Sequence, residues 1–253
     1  MNGLLDVDFY REQGYVLARG VFARDEVTSM QREVEALLER AEAAGRKMEA
    51  TWRGEWRQRE SAAVQTRVDI IHNVQNHSAS FTRLLVDPRL VDRAAELIGP
   101  NVQLHHTKLH NKQPSVGSPF PMHQDYPYFP HEGDSMIAAI VHIDDATVEN
   151  GCLCVVPGSH KLGPMEHAHD GSFYLPLDDW PLDRATPVEA QAGDVLFFGY
   201  GMVHGSYVNR SNRPRAILLV QMRSPTDRPL NEAHRSPGQG TMLRGFNPDA
   251  SQL

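Results

Sequence analysis

The sequence predicts a mainly β fold, a sandwich of the jelly-roll kind with a helical flank in front. Three observations lead there. Amphipathic helical patterns are confined to residues 1–100, short apolar or alternating runs fill residues 101–223, and Gly, Pro, Asn and Asp clusters separate those runs. The first helix rests on Val27, Met30, Val34, Leu37, Leu38 and Ala41, which recur at spacings of three and four between acidic Asp25 and Glu26 and the terminating Gly45. Pro88 to Ile98 predicts a second, with Asp87 as N-cap, Pro88 at the first helical position and Gly99-Pro100 as its stop. The expected strands are Val102 to Leu109, Met136 to Ile143, Cys152 to Val156, Val195 to Phe198 and Ala216 to Met222. Residues 224–253 follow as a C-terminal extension, and Arg46 to Glu60, rich in Arg and Trp without a period, reads as a loop or irregular helix over the sandwich.

At 253 residues, one elaborated domain absorbs the whole chain, 1–253. Forty per cent hydrophobic residues suffice for a core and exclude a disordered or collagenous chain. Asp and Glu (32) outnumber Lys and Arg (25), which argues against a nucleic-acid partner because neutralising phosphates needs a basic surface. The longest apolar stretches fall far short of the roughly 20 residues that span a bilayer, so no membrane partner is expected. No signal peptide is visible, and the cytoplasm is the default location. Cys152 and Cys154 would share a face of one strand, where a disulfide between them is strained; they read as small buried thiols.

Thirteen histidines make metal chemistry the natural question. Chance alone supplies one or two His-x-Asp or His-x-Glu pairs in such a chain. There are two, His123-Gln-Asp125 and His142-Ile-Asp144. His142 ends an apolar strand and runs into turn-forming acids, so it reads as a strand exit. His123 follows a Gly- and Pro-rich loop and precedes Tyr126, Tyr128 and Phe129, which sets His123 and Asp125 on one face at the sandwich mouth. His204, just after the strand ending at Phe198, is the candidate third ligand. Two imidazoles and a carboxylate on one face of Fe(II) leave three adjacent positions open, which is what a bidentate 2-oxo acid and O2 require. Taken alone, Arg215 reads as a structural ion pair on a strand. Beside such a triad it acquires a second use, a bidentate bridge to the distal carboxylate of 2-oxoglutarate, with the Ser206 hydroxyl adding a hydrogen bond.

The chain resembles the phytanoyl-CoA hydroxylase (phytanoyl-CoA dioxygenase) family of Fe(II)/2-oxoglutarate dioxygenases, which includes ectoine hydroxylases and tailoring oxygenases of small metabolites. Four segments in order carry the likeness: Phe9-Tyr-Arg-Glu-Gln-Gly-Tyr15; Lys112-Gln-Pro114 with His123-Gln-Asp125; Asn150-Gly-Cys-Leu-Cys-Val-Val-Pro157-Gly-Ser-His160-Lys161; and Ala192-Gly-Asp-Val-Leu-Phe-Phe198 with His204-Gly-Ser206 and Arg215. The resemblance implies a double-stranded β-helix, the cupin-like jelly roll. It implies catalytic iron ligands His123, Asp125 and His204, and cosubstrate contacts from Ser206 and Arg215. It makes His160 structural, and it adds His110 as a cosubstrate contact by analogy with polar residues at similar distances in ectoine hydroxylases. The implied activity is hydroxylation of a small metabolite with release of succinate and CO2; Asp125 favours hydroxylation over halogenation, because chlorinating relatives carry a small residue there. A zinc hydrolase on the same triad and a non-catalytic jelly-roll binding module are the competing readings. The substrate itself is not legible: Trp52, Arg53, Trp56 and Arg57 with Tyr126, Tyr128 and Phe129 suit either an entrance for an amphipathic or anionic molecule or simple packing of the loop.

Overall fold

A computed structural model describes residues 3–45, 68–114, 119–169, 172–231 and 235–249. The Arg- and Trp-rich stretch, with Trp52, Arg53, Trp56 and Arg57, lies outside the described residues. The chain opens with α1 (Val7–Gln13), β1 (Tyr15–Ala18) and α2 (Arg24–Ala43), the last being the first expected helix. After β2 (Val68–His72) come α3 (Ala79–Leu85) and α4 (Pro88–Ile98). The α4 cap matches the local sequence: the Asp87 side chain accepts from the Arg89 N–H, and Pro88 fills the first turn, where no N–H is needed. Strands then dominate: β3 (Val102–Lys112), β4 (Phe120–His123), β5 (Ile137–His142), β6 (Leu153–Val155), the short pair β7 (Ala168–His169) and β8 (Phe173–Tyr174), β9 (Thr186–Val188), β10 (Val195–Gly199), β11 (His204–Ser206), β12 (Arg215–Arg223) and β13 (Met242–Arg244).

Two antiparallel sheets form the sandwich. The larger runs β1-β10-β5-β12-β3-β13, with β2 also on β3; the smaller runs β4-β11-β6-β9. Thus, among the described residues, the first hundred contribute two strands as well as helices, and the C-terminal segment contributes one. Sequence reading passed over β1, β2 and β13 because each is three to five residues long and gains its meaning only from a distant partner.

Alternation along the large sheet sorts its side chains. Ile137, Ala139, Val141, Phe197, Leu218 and Val220 pack with Val34 and Leu37 of α2, Phe81 of α3 and Leu90 of α4 in the main core. Ala138, Ile140, Leu196, Phe198 and Ile217 face the small sheet and meet Leu153, Val155 and Val188. On β3 the residues of this inner face are His106, Lys108 and His110, which line a cavity, and Lys112, which reaches Ser206 of the small sheet. The helices therefore seal one side of the large sheet, while the space between the sheets receives an unusually polar strand. Cys152 and Cys154 are buried and free. Among the described residues no helix is long and apolar enough to cross a membrane.

Candidate functional site

Strand pairing assembles the site. His204 opens β11 directly opposite His123, the last residue of β4, so their rings stand side by side with centroids 4.3 Å apart. Asp125 is not on the strand with His123, as the two-residue spacing suggested. It sits just beyond, in a right-handed turn at φ −74° and ψ −23° that opens a 3-10 turn over Tyr126–Tyr128. That turn swings the carboxylate back, with Oδ1 at 3.7 Å from His123 Nε2 and 3.9 Å from His204 Nε2. The three candidate ligand atoms lie within 4.8 Å of one another.

The other ring nitrogens are tied down. His123 Nδ1 is 2.8 Å from the Pro121 carbonyl and His204 Nδ1 is 2.9 Å from the Met202 carbonyl. A carbonyl only accepts, so each Nδ1 carries a proton and each Nε2 is turned toward Asp125. Burial, followed by the neighbouring His204, holds the His123 pKa well below the ordinary imidazole range, so that ring is neutral as a metal ligand must be. Gln221 Nε2 donates to Asp125 Oδ2 at 3.3 Å, leaving Oδ1 to the triad. Gln124, between two of the three residues, donates to the Gly163 and Gly201 carbonyls and accepts from the Met165 N–H. Sequence reading missed both glutamines: Gln221 looks like an ordinary strand residue, and Gln124 was only the spacer of a motif.

The triad faces a cavity of about 470 Å³ between the sheets. His72, His106, Lys108, His110, Ser206, Arg215 and Gln221 line it with Ile70, Phe120, Tyr128, Phe129, Ile140, Phe198 and Leu219. Arg215 begins β12 and is 2% exposed; among the described residues its Nε and Nη1 make no hydrogen bond. Burial lowers its pKa to about 10, so the guanidinium remains a buried cation at neutral pH. A buried charge without a partner is costly, and an anion placed at this end of the cavity offsets that cost. Ser206 reaches the cavity too. Its Oγ accepts from Lys112 Nζ at 2.7 Å, and Lys112 is held by the Tyr207 carbonyl at 2.6 Å, so the Ser206 proton is available to a second acceptor. His110 lines the same space with Nε2 unbonded, and burial pulls its pKa well down.

The remaining histidines separate cleanly. His142 is fully buried on β5 outside the cavity, with burial and Arg215 lowering its pKa to about 3. His160 Nε2 lies 3.1 Å from the Arg11 carbonyl and anchors the loop to α1. His72, which sequence spacing left without a role, lines the cavity because β2 pairs with β3 and sets it beside Lys108.

Gly205 separates His204 from Ser206. A Cβ there would sit 2.7 Å from the Phe120 carbonyl oxygen and 2.8 Å from Leu182 Cδ2. Gly205→Ala should therefore wedge β11 from β4 and spread the two imidazoles, lowering affinity for a divalent metal by roughly tenfold with every ligand still present. A metal titration with Gly205→Ala beside wild type checks this, and equal affinities would show that the pairing of β4 and β11 does not set the ligand geometry.

Comparison with known proteins identifies relatives of the chain. The family model for phytanoyl-CoA dioxygenase (PhyH) matches residues 10–217. The chain is 27% identical over 219 residues to a probable alpha-ketoglutarate-dependent hypophosphite dioxygenase of Stutzerimonas stutzeri, covering 83% of this chain and 75% of that protein. It is 30% identical over 236 residues to the peroxisomal phytanoyl-CoA dioxygenase of Rattus norvegicus, covering 86% and 68%. Among solved structures, the non-heme alpha-ketoglutarate-dependent carbocyclase SnoK from nogalamycin biosynthesis superposes with a TM-score of 0.72 at 27% identity, covering 95% of this chain and 92% of that one. With the family model spanning most of its length, the chain belongs to the phytanoyl-CoA dioxygenase family.

Proposed function

We propose that this protein is an Fe(II)- and 2-oxoglutarate-dependent dioxygenase that hydroxylates an unactivated C–H bond of a small molecule and releases succinate and CO2. The observation that carries the reading is the pairing, across one cavity, of a His/Asp/His cluster with a buried guanidinium lacking hydrogen-bond partners at Nε and Nη1 among the described residues. Similar chains named as alpha-ketoglutarate-dependent dioxygenases support it. Iron with its 2-oxo acid, when bound, would supply the O2 chemistry that exchanges C–H for C–OH. The protein supplies position. His123, Asp125 and His204 would hold the metal; Arg215, with Ser206, would hold the far carboxylate of the cosubstrate; His110 would contribute a further polar contact. Asp125 fills the ligand position that a halide would need, which favours hydroxylation over halogenation.

The two ends of the chain join one sheet, which fits a single domain over 1–253. Two buried free thiols fit a reducing compartment, and we place the protein in the cytoplasm. A zinc hydrolase has no use for Arg215 at the inner end of the cavity, and a passive binding module needs no His/Asp/His triad. Incubation in air with Fe(II) and 2-oxoglutarate should yield succinate, with none when Zn(II) replaces Fe(II). Succinate formation independent of iron, or none with iron, would remove the reading.

A further inference from the structure

We propose that Lys108 anchors an anionic group of the substrate, a carboxylate or a phosphorus oxyanion, beside the metal triad; this rests on the iron and 2-oxoglutarate reading. Lys108 lies mid-strand on β3, paired with Leu219 of β12 and His72 of β2, and its side chain lines the cavity with His106 and His110. Among the described residues it makes no hydrogen bond or ion pair. Lys112 offers a contrast on the same strand. Its ammonium is held by Ser206 and the Tyr207 carbonyl, so that lysine is structural, and Lys108 is not.

Charge counting shows what Lys108 lacks. A divalent iron, the Asp125 carboxylate, a dianionic 2-oxoglutarate and the Arg215 guanidinium sum to zero. Among the charged side chains lining the cavity only Lys108 then stays uncompensated. Burial lowers its pKa and Asp125 opposes that shift, so a second anion nearby would further favour the ammonium. A substrate with one negative charge completes the balance, and its apolar remainder meets Ile70, Phe120 and Leu219.

The test uses full-length protein loaded anaerobically with Fe(II) and 2-oxoglutarate. Probes are acetate and propionate in one arm, methylphosphonate and hypophosphite in the other, with acetamide, propionamide and dimethyl methylphosphonate as uncharged counterparts. Binding is read from perturbation of the visible metal-to-cosubstrate band and from the thermal midpoint. At least one anion should bind wild type while its uncharged counterpart does not, and the responding arm identifies carboxylate or phosphorus oxyanion. Lys108→Met should weaken that anion by roughly thirtyfold, with Lys108→Arg recovering part of the loss and the 2-oxoglutarate affinity unchanged. Failure of all four anions to bind, equal binding by Lys108→Met, or equal binding of the uncharged counterparts would overturn the proposal. A parallel loss of 2-oxoglutarate affinity in Lys108→Met would overturn it as well, by assigning the lysine to the cosubstrate. If wild type shows no band with Fe(II) and 2-oxoglutarate, the underlying reading fails first; a normal band with no anion response defeats only the role given to Lys108.

Discussion

Asp125→Ala should yield a folded protein that has lost on the order of a hundredfold or more in Fe(II) affinity and forms no succinate above background. The carboxylate is the only anion among the three ligands, and loss of groups that merely support a ligand already costs ten- to a hundredfold. Folding should survive because the Asp125 side chain is 14% exposed and lies in a turn beyond β4, contributing no apolar packing to either sheet. The substitution buries no new charge and opens no cavity in the apolar core, so the metal-free melting midpoint should change little. Equilibrium dialysis against Fe(II), with a melt of the metal-free protein, checks both halves. Wild-type iron retention by Asp125→Ala would remove this residue from the site.

Arg215→Ala should separate cosubstrate binding from metal binding. A buried, charge-assisted bidentate contact is worth on the order of 2 to 5 kcal/mol, so the dissociation constant for 2-oxoglutarate should rise by roughly thirtyfold to several thousandfold. Iron affinity should barely move, since the guanidinium is no part of the ligand cluster. Arg215→Lys should recover only part of the loss, because a point charge on a flexible stem does not reproduce the planar fork. Stability gives an independent check. A buried cation with unbonded Nε and Nη1 burdens the protein without cosubstrate, and an apolar residue of similar length relieves it. Arg215→Met should therefore melt no lower than wild type without 2-oxoglutarate, yet gain none of the wild type's stabilisation when it is added. Equal 2-oxoglutarate affinity in wild type and Arg215→Ala would make the arginine a structural residue.

How much of this was legible in the sequence depends on the range of the interactions involved. The helices α2 and α4 were readable because their caps and apolar spacing are local, and the bounds of α4 match the expectation residue for residue. The strand cores at β5, β10 and β12 were readable for the same reason: each is an apolar run bounded by turn residues. What stayed hidden was set by pairing. His72 acquires a place in the cavity only because β2 lies against β3, and Tyr15 to Ala18 becomes a strand only against β10. Asp125 was found by its neighbourhood, but its conformation was misjudged, since a strand and a turn both bring residues two apart near each other. Lys108 carried no signal: polar residues throughout β3 suggest a solvent face until the small sheet is seen to cover them.

The most direct test is an anaerobic titration of the Fe(II)-loaded protein with 2-oxoglutarate, followed by visible absorption. If the 2-oxo acid chelates the iron held by His123, Asp125 and His204, a weak charge-transfer band should grow to saturation. It should be absent with Zn(II), absent in Asp125→Ala, and shifted to much higher 2-oxoglutarate concentration in Arg215→Ala. A wild-type protein that binds iron tightly but develops no band at any 2-oxoglutarate concentration would contradict the account.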